Sequence, residues 1–124
     1  MKNYPKISDA EWKVMEALWS KAPLTAAEII EILLKSNEWS PKTIHTLISR
    51  LVKKEAIKVT KETPFYQYIP NVSQEELRNL ETKTFIEKIY NGSLHLLLST
   101  FVQEDNLTAE QIEDLRRILK EKSK

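Results

Sequence analysis

Trp39-Ser40-Pro41-Lys42-Thr43-Ile44-His45-Thr46-Leu47-Ile48-Ser49-Arg50-Leu51-Val52-Lys53-Lys54 has the pattern of one helix with two unlike faces. Ser40 suits the N-cap, where its hydroxyl accepts from an amide of the first turn. Pro41 suits the first helical position, where a missing N–H costs nothing. At about 100° per residue, Ile44, Leu47, Ile48, Leu51 and Val52 gather on one side. Lys42, Thr43, Thr46, Ser49, Arg50 and Lys53 gather on the other, with His45 at the edge. That second face has no carboxylate. Its short hydroxyls permit close approach and its long cations reach phosphates or base edges, as a helix in a DNA major groove requires. A cationic face alone also describes a solvated amphipathic helix, so the surrounding chain has to decide.

Upstream, the same start signal recurs. An apolar residue precedes Ser or Thr, and another follows the Ser or Thr by four, in Ile7-Ser8…Trp12, Leu24-Thr25…Ile29, Trp39-Ser40…Ile44, Val72-Ser73…Leu77 and Leu107-Thr108…Ile112. This is the hydrophobic staple around an N-cap, and Glu11, Glu28, Glu76 and Gln111 complete capping boxes in four of these places. The first helix is expected over about Asp9 to Ser20, burying Trp12, Met15, Leu18 and Trp19. The second is expected over about Ala26 to Lys35, with Ile29, Ile30, Leu33 and Leu34 inward.

Downstream the period changes to two. Ile57 and Val59 alternate with Lys58 and Thr60, Phe65-Tyr66-Gln67-Tyr68-Ile69 is aromatic and β-prone, and Glu62-Thr63-Pro64 is the turn between them. Three helices followed by a hairpin, with hydroxyls and cations on the third helix, is the layout of a winged helix-turn-helix. Lys58 and Lys61 then lie on or near the wing, beside phosphate; edge-strand lysines that discourage aggregation have the same pattern. The fold class expected is mainly α with a small β-hairpin. A winged-helix DNA-binding domain over 1–71 is followed by a helical dimerisation domain over 72–124.

In that second part Leu77, Leu80, Phe85, Ile86, Ile89 and Tyr90 form an apolar stripe that Asn91-Gly92 ends, Gly92 being the single glycine of the chain. Ser93 to Val102 is apolar on nearly every side, and Thr108 to Lys122 is amphipathic. A helix apolar all round has to be enclosed. Two flanking helices of a small chain do not suffice, which points to a second copy, with Phe85, Ile89, Leu94, Leu97, Leu98, Phe101, Ile112, Leu115 and Leu119 between the copies. A monomeric subdomain folded onto the first half is the rival arrangement.

The chain has 124 residues, 41% of them hydrophobic and 30% charged, a globular composition. It has no cysteine, hence no disulfide framework and no thiolate metal site. Met1 to Lys6 has no signal-peptide core, and the longest apolar run is too short to span a bilayer, so a cytoplasmic location is expected. Ser40 to Lys61 carries six cations and one anion, whereas 72–124 carries eight cations and ten anions. A basic island beside a slightly acidic remainder separates DNA contact from another task. An enzyme is not expected: His45 and His95 are the only histidines, and one glycine makes no phosphate loop. No cofactor or metal is called for.

Trp39 to Ile44 followed by Leu47-Ile48-Ser49-Arg50-Leu51 resembles the recognition helix of the penicillinase and methicillin-resistance repressors. Ile7-Ser8-Asp9-Ala10-Glu11-Trp12, Tyr90-Asn91-Gly92, Phe101-Val102 and Glu110 to Leu119 extend the resemblance over essentially the whole chain. It implies a dimeric winged-helix repressor of a palindromic operator, released when a β-lactam-sensing membrane protein triggers its cleavage. It implies DNA reading by Lys42, Thr43, Thr46 and Arg50, with His45 where the family commonly has Arg or Gln. It places the cleavage at Thr100-Phe101, where the family has Asn-Phe. Two rival functions remain at this level. A protein-only interaction module would lack sequence-selective DNA affinity, and a winged-helix regulator answering another signal would need a cavity near the dimer helices.

Overall fold

The computed structural model describes residues 4–104 and 107–123. Its elements run α1 (Asp9–Lys21), β1 (Leu24–Thr25), α2 (Ala26–Leu34), α3 (Pro41–Lys53), β2 (Ile57–Lys61), β3 (Gln67–Pro70), α4 (Gln74–Tyr90), α5 (Leu94–Gln103) and α6 (Ala109–Lys122). Each expected cap closes its helix. The Ser8, Thr25, Ser40, Ser73 and Thr108 hydroxyls accept from the amides of Glu11, Glu28, Thr43, Glu76 and Gln111 at 3.0–3.2 Å. Without those acceptors the first-turn amides would have only water.

The sheet is antiparallel and three-stranded, in the order β1-β3-β2. The hairpin β2–β3 was expected; β1 was not. Leu24 pairs with Tyr68 and Thr25 with Gln67, so the residue that caps α2 also closes the sheet edge. The expected second strand starts two residues late: Phe65 and Tyr66 belong to the turn, and pairing begins at Gln67.

α1, α2, α3 and the sheet enclose one core, in which Val14, Met15, Leu18, Ile29, Ile44, Leu51 and Ile57 are fully covered. The inward faces are rotated slightly from expectation. In α1 it is Val14 and Ala17 that are buried with Met15 and Leu18, while Trp12 and Trp19 lie half-buried at the edge with rings 5.2 Å apart. Trp19 keeps its indole N–H bonded to the Val72 carbonyl at 2.9 Å, which an amphipathic ring does best from an edge. In α2 Leu34 is exposed and Ile30 half-buried. Leu77, near the start of α4, completes this core.

The chain divides into two compact units between Asn79 and Leu80. The second unit holds the end of α4, then α5 and α6. Its first turn is sharp: Asn91 and Gly92 have φ of 51° and 81°, and the Gly92 amide donates to the Ile86 carbonyl at 3.0 Å. Glycine tolerates that left-handed conformation without penalty. Ser93 then caps α5, accepting from the Leu96 amide at 3.0 Å. Among the described residues no helix is long and apolar enough to cross a membrane.

Candidate nucleic-acid interface

α3 divides as its sequence requires. Ile44, Leu47, Ile48 and Leu51 are buried, at 5% exposure or less, and Val52 is half-buried. Lys42, Thr43, His45, Thr46, Ser49, Arg50 and Lys53 are all exposed. Burial of one face fixes the helix about its axis, so the cations are presented by the core rather than by their own contacts. The hydroxyls on the open face are partly engaged. Thr46 donates to the Lys42 carbonyl at 3.1 Å, which leaves its oxygen as an acceptor, and Thr43 Oγ1 lies 3.1 Å from Ser40 Oγ. Lys58 and Lys61 are exposed on β2.

Lys54, the last cation of the opening stretch, goes elsewhere. Its Nζ donates to Glu11 Oε1 at 2.6 Å and to the Lys6 carbonyl at 2.8 Å. Glu11 is 2% exposed, and the same Oε1 accepts from the Ser8 amide at 2.8 Å. Burial pushes the Glu11 carboxyl up, but the bonds from Lys54 and Ser8 outweigh it and hold the group below the ordinary glutamate range. Lys54 therefore ties the end of α3 to the start of α1. From the sequence Glu11 is legible as a capping-box residue. Nothing local announces a cation 43 positions away.

Beside α3 lies an open cleft of about 490 Å³ whose lining includes Thr25, His45, Glu62, Phe65, Tyr66 and Tyr68. It brings the edge of α3, the start of α2 and the wing turn together. Burial pushes the Tyr68 hydroxyl pKa up, with Tyr66 adding to the effect.

The residues singled out for dimerisation sit in the second unit without a cover. Phe85, Ile89, Leu94, Phe101, Leu115 and Leu119 are exposed, and Leu97, Leu98 and Ile112 half-buried. Leu98, Val102, Ile112, Leu115 and Leu119 line a shallow apolar groove of about 280 Å³ between α5 and α6. Thr100 is half-buried in α5, its hydroxyl donating to the Leu96 carbonyl at 2.9 Å, and Phe101 is exposed.

A three-helix core, a winged sheet and a carboxylate-free third helix define the molecule as a winged-helix DNA-binding regulator. Comparison narrows the class. Residues 7–121 match the family described as Penicillinase repressor, and the chain belongs to it. It is 38% identical over 121 residues to the penicillinase repressor of Bacillus licheniformis, across 98% of this chain and 94% of that one. It is 41% identical over 117 residues to the methicillin resistance regulatory protein MecI of Mammaliicoccus sciuri, across 94% and 95%. The solution structure of the monomeric form of B. licheniformis BlaI in complex with the blaP half-operator is similar at a TM-score of 0.54 and 42% identity. That likeness covers 61% of this chain and 93% of the other.

Proposed function

We propose that this chain is a cytoplasmic homodimeric repressor that binds a palindromic operator of β-lactam-resistance genes and is relieved by cleavage between Thr100 and Phe101. One observation carries the DNA reading: α3 buries Ile44, Leu47, Ile48 and Leu51 and leaves Lys42, Thr43, Thr46, Ser49 and Arg50 open. A helix so fixed enters a major groove with its polar side first. Lys42, Thr43, Thr46 and Arg50 read the groove, Ser49 and Lys53 contact beside them, His45 contacts at the margin, and Lys58 and Lys61 hold the flanking backbone.

Dimerisation is supported by the apolar residues open on α4, α5 and α6. Two linked winged helices bind a two-fold site far more tightly than either alone, because the second contact becomes intramolecular. Cutting at Thr100-Phe101 would split α5 near its C-terminal end, detach α6 and undo that linkage while leaving α3 unaltered. The bond lies inside a helix, so α5 opens locally before a protease reaches it. A membrane-bound β-lactam sensor is the partner this scheme requires.

The test is selection of bound sites from random DNA. The expected product is an inverted repeat with half-sites about one or two helical turns apart. Arg50→Ala should then bind that site about 1–3 kcal/mol more weakly and with relaxed preference. An Arg50→Ala protein that keeps full preference removes the groove assignment. Binding indifferent to sequence returns the chain to a protein-only module. Fragment termini determined by mass spectrometry after β-lactam treatment test the cleavage.

A further inference from the structure

The cleft of about 490 Å³ beside α3 does not share the chemistry of that helix. Among the described residues its lining has no Lys or Arg. It has one carboxylate, Glu62, and three aromatic rings, Phe65, Tyr66 and Tyr68. A surface made for phosphate has the reverse, cations and no carboxylate. The rings are also arranged for a ligand. Tyr66 meets Tyr68 at 87°, centroids 6.5 Å apart, so the two rings form adjoining walls of a corner. Tyr68 is buried in the middle strand, paired with Leu24 on one side and Val59 on the other, which fixes one wall. Phe65 and Tyr66 lie in the turn, 71% and 55% exposed, with their faces open. Among the described residues the Glu62 carboxylate has no ion-pair partner.

We propose that this cleft is a binding site for a small organic cation, a quaternary ammonium or similar onium ion, and that its occupation competes with DNA. The face of an aromatic ring is electrically negative and attracts a cation within about 6 Å of its centre. Glu62 supplies the full counter-charge. A compact, strongly hydrated cation would lose its water against so apolar a lining, whereas an onium ion with alkyl groups is weakly hydrated and suits it. The volume is that of a small-molecule site, about 300–1,000 Å³. The competition rests on the DNA-binding reading above, and the site itself does not. The lining joins His45 of α3 to the turn that follows β2. A duplex engaging both Arg50 and Lys61 passes over the space between them, and a ligand there stands in its way.

The experiment titrates the full chain with benzyltrimethylammonium chloride at constant ionic strength, followed by amide NMR. The signals of Thr25, His45, Tyr66 and Tyr68 should move and saturate, and sodium benzoate should not move them. Glu62→Gln removes the counter-charge, and Tyr66→Leu keeps apolar bulk without the ring. Each should weaken probe binding roughly fivefold or more, with the parent's melting temperature, since both positions are exposed. No saturable shift at the cleft overturns the inference. So does parental probe affinity in both variants, or benzoate binding as tightly as the cation. In the second arm, probe at ten times its dissociation constant should weaken binding to a DNA site selected from random sequence about tenfold. Unchanged DNA affinity at that saturation overturns the competition. A chain with no preferred DNA site ends the proposed function, and the titration of the free protein still decides whether the cleft takes the cation.

Discussion

The winged helix and the C-terminal helices are built from similarly amphipathic sequence and end in opposite states. Among the described residues every buried one falls within 7–77. From Leu80 onward no described residue is buried, and Phe85, Ile89, Leu94, Ile118 and Leu119 are each half exposed or more. The first unit has three helices and a sheet to enclose its apolar faces. In the second, α5 is apolar on nearly all sides and has too few neighbours to cover it. Each square ångström of apolar surface left in water forgoes about 25 cal/mol. The contrast teaches that one chain suffices to complete the reading head, and that the other unit is complete only against something else. The proposed second copy would cover it and would also bring a second reading head to a two-fold site.

The largest effect should come from breaking the incomplete unit. Leu98→Glu puts a charge into the groove between α5 and α6, at a position the proposed dimer covers, and an unpaired buried charge is strongly unfavourable. The variant should sediment as a monomer and lose roughly 100-fold or more in affinity for the full operator, while half-site binding and the fold of the first unit persist. A parent chain that is monomeric at micromolar concentration with full-site binding intact would end the dimer reading.

Matched core truncations sharpen the comparison. Leu51→Ala opens a cavity in a finished core and should lower stability by about 2–5 kcal/mol at every protein concentration. Leu119→Ala removes side-chain surface that is 60% exposed in the single chain. Its effect on the melting temperature should depend on protein concentration, because it acts through association. Thermal melts at two concentrations a hundredfold apart separate the cases. Identical behaviour of the two variants would erase the difference between the units.

What was legible in the sequence was local. The caps at Ser8, Thr25, Ser40, Ser73 and Thr108 are decided within four residues of chain. The faces of α3 follow from a period that any helix obeys. What was not legible depended on partners distant in sequence. β1 is two residues long and exists because Leu24 meets Tyr68, which no window of sequence contains. Trp12 and Trp19 look like core by composition, yet the Val72 carbonyl draws the Trp19 indole to the rim. Phe65 and Tyr66 have strand-forming side chains but lie in the turn, so propensity gives way to tertiary pairing. Lys54 reads as one more cation of the helix and is withdrawn by Glu11.

That withdrawn pair gives a pH-dependent test confined to the first unit. Glu11 is held below its ordinary range, so its contribution to stability is complete above about pH 4.3, the unfolded value. It is lost as pH falls through the lower, folded value. Lys54→Met takes away the compensating cation and leaves burial, the largest single influence, opposed only by the bonds from Ser8. The folded-state pKa should then rise above the unfolded one, and stability should fall as pH increases through it. Near neutral pH the loss should be about 1–3 kcal/mol, at the lower end because Lys54 is partly solvated. Urea midpoints between pH 3 and 7, a range chosen to span about one unit or more on each side of the carboxyl, check the inversion. Parallel profiles for parent and variant would show that the pair contributes nothing.

The smallest expected effect lies on the wing and turns on a bulge. Lysines three apart on a regular strand point to opposite faces. Here Val59 pairs with Tyr68 and Lys61 with Gln67, so Thr60 is the extra residue between them. The extra residue resets the alternation. Lys61 therefore lies on the face of Lys58, opposite to the core-facing Ile57, Val59 and Tyr68. Two cations on one open face can follow one phosphate backbone, an arrangement hidden from the spacing alone. Lys61→Ala should weaken selected and unselected DNA alike and reduce the slope of log affinity against log salt by about one unit. Lys58→Ala should do the same, and the double variant should lose about two units. A double variant that loses only one unit would mean that a single lysine reaches phosphate, and the shared face would then have no consequence for binding.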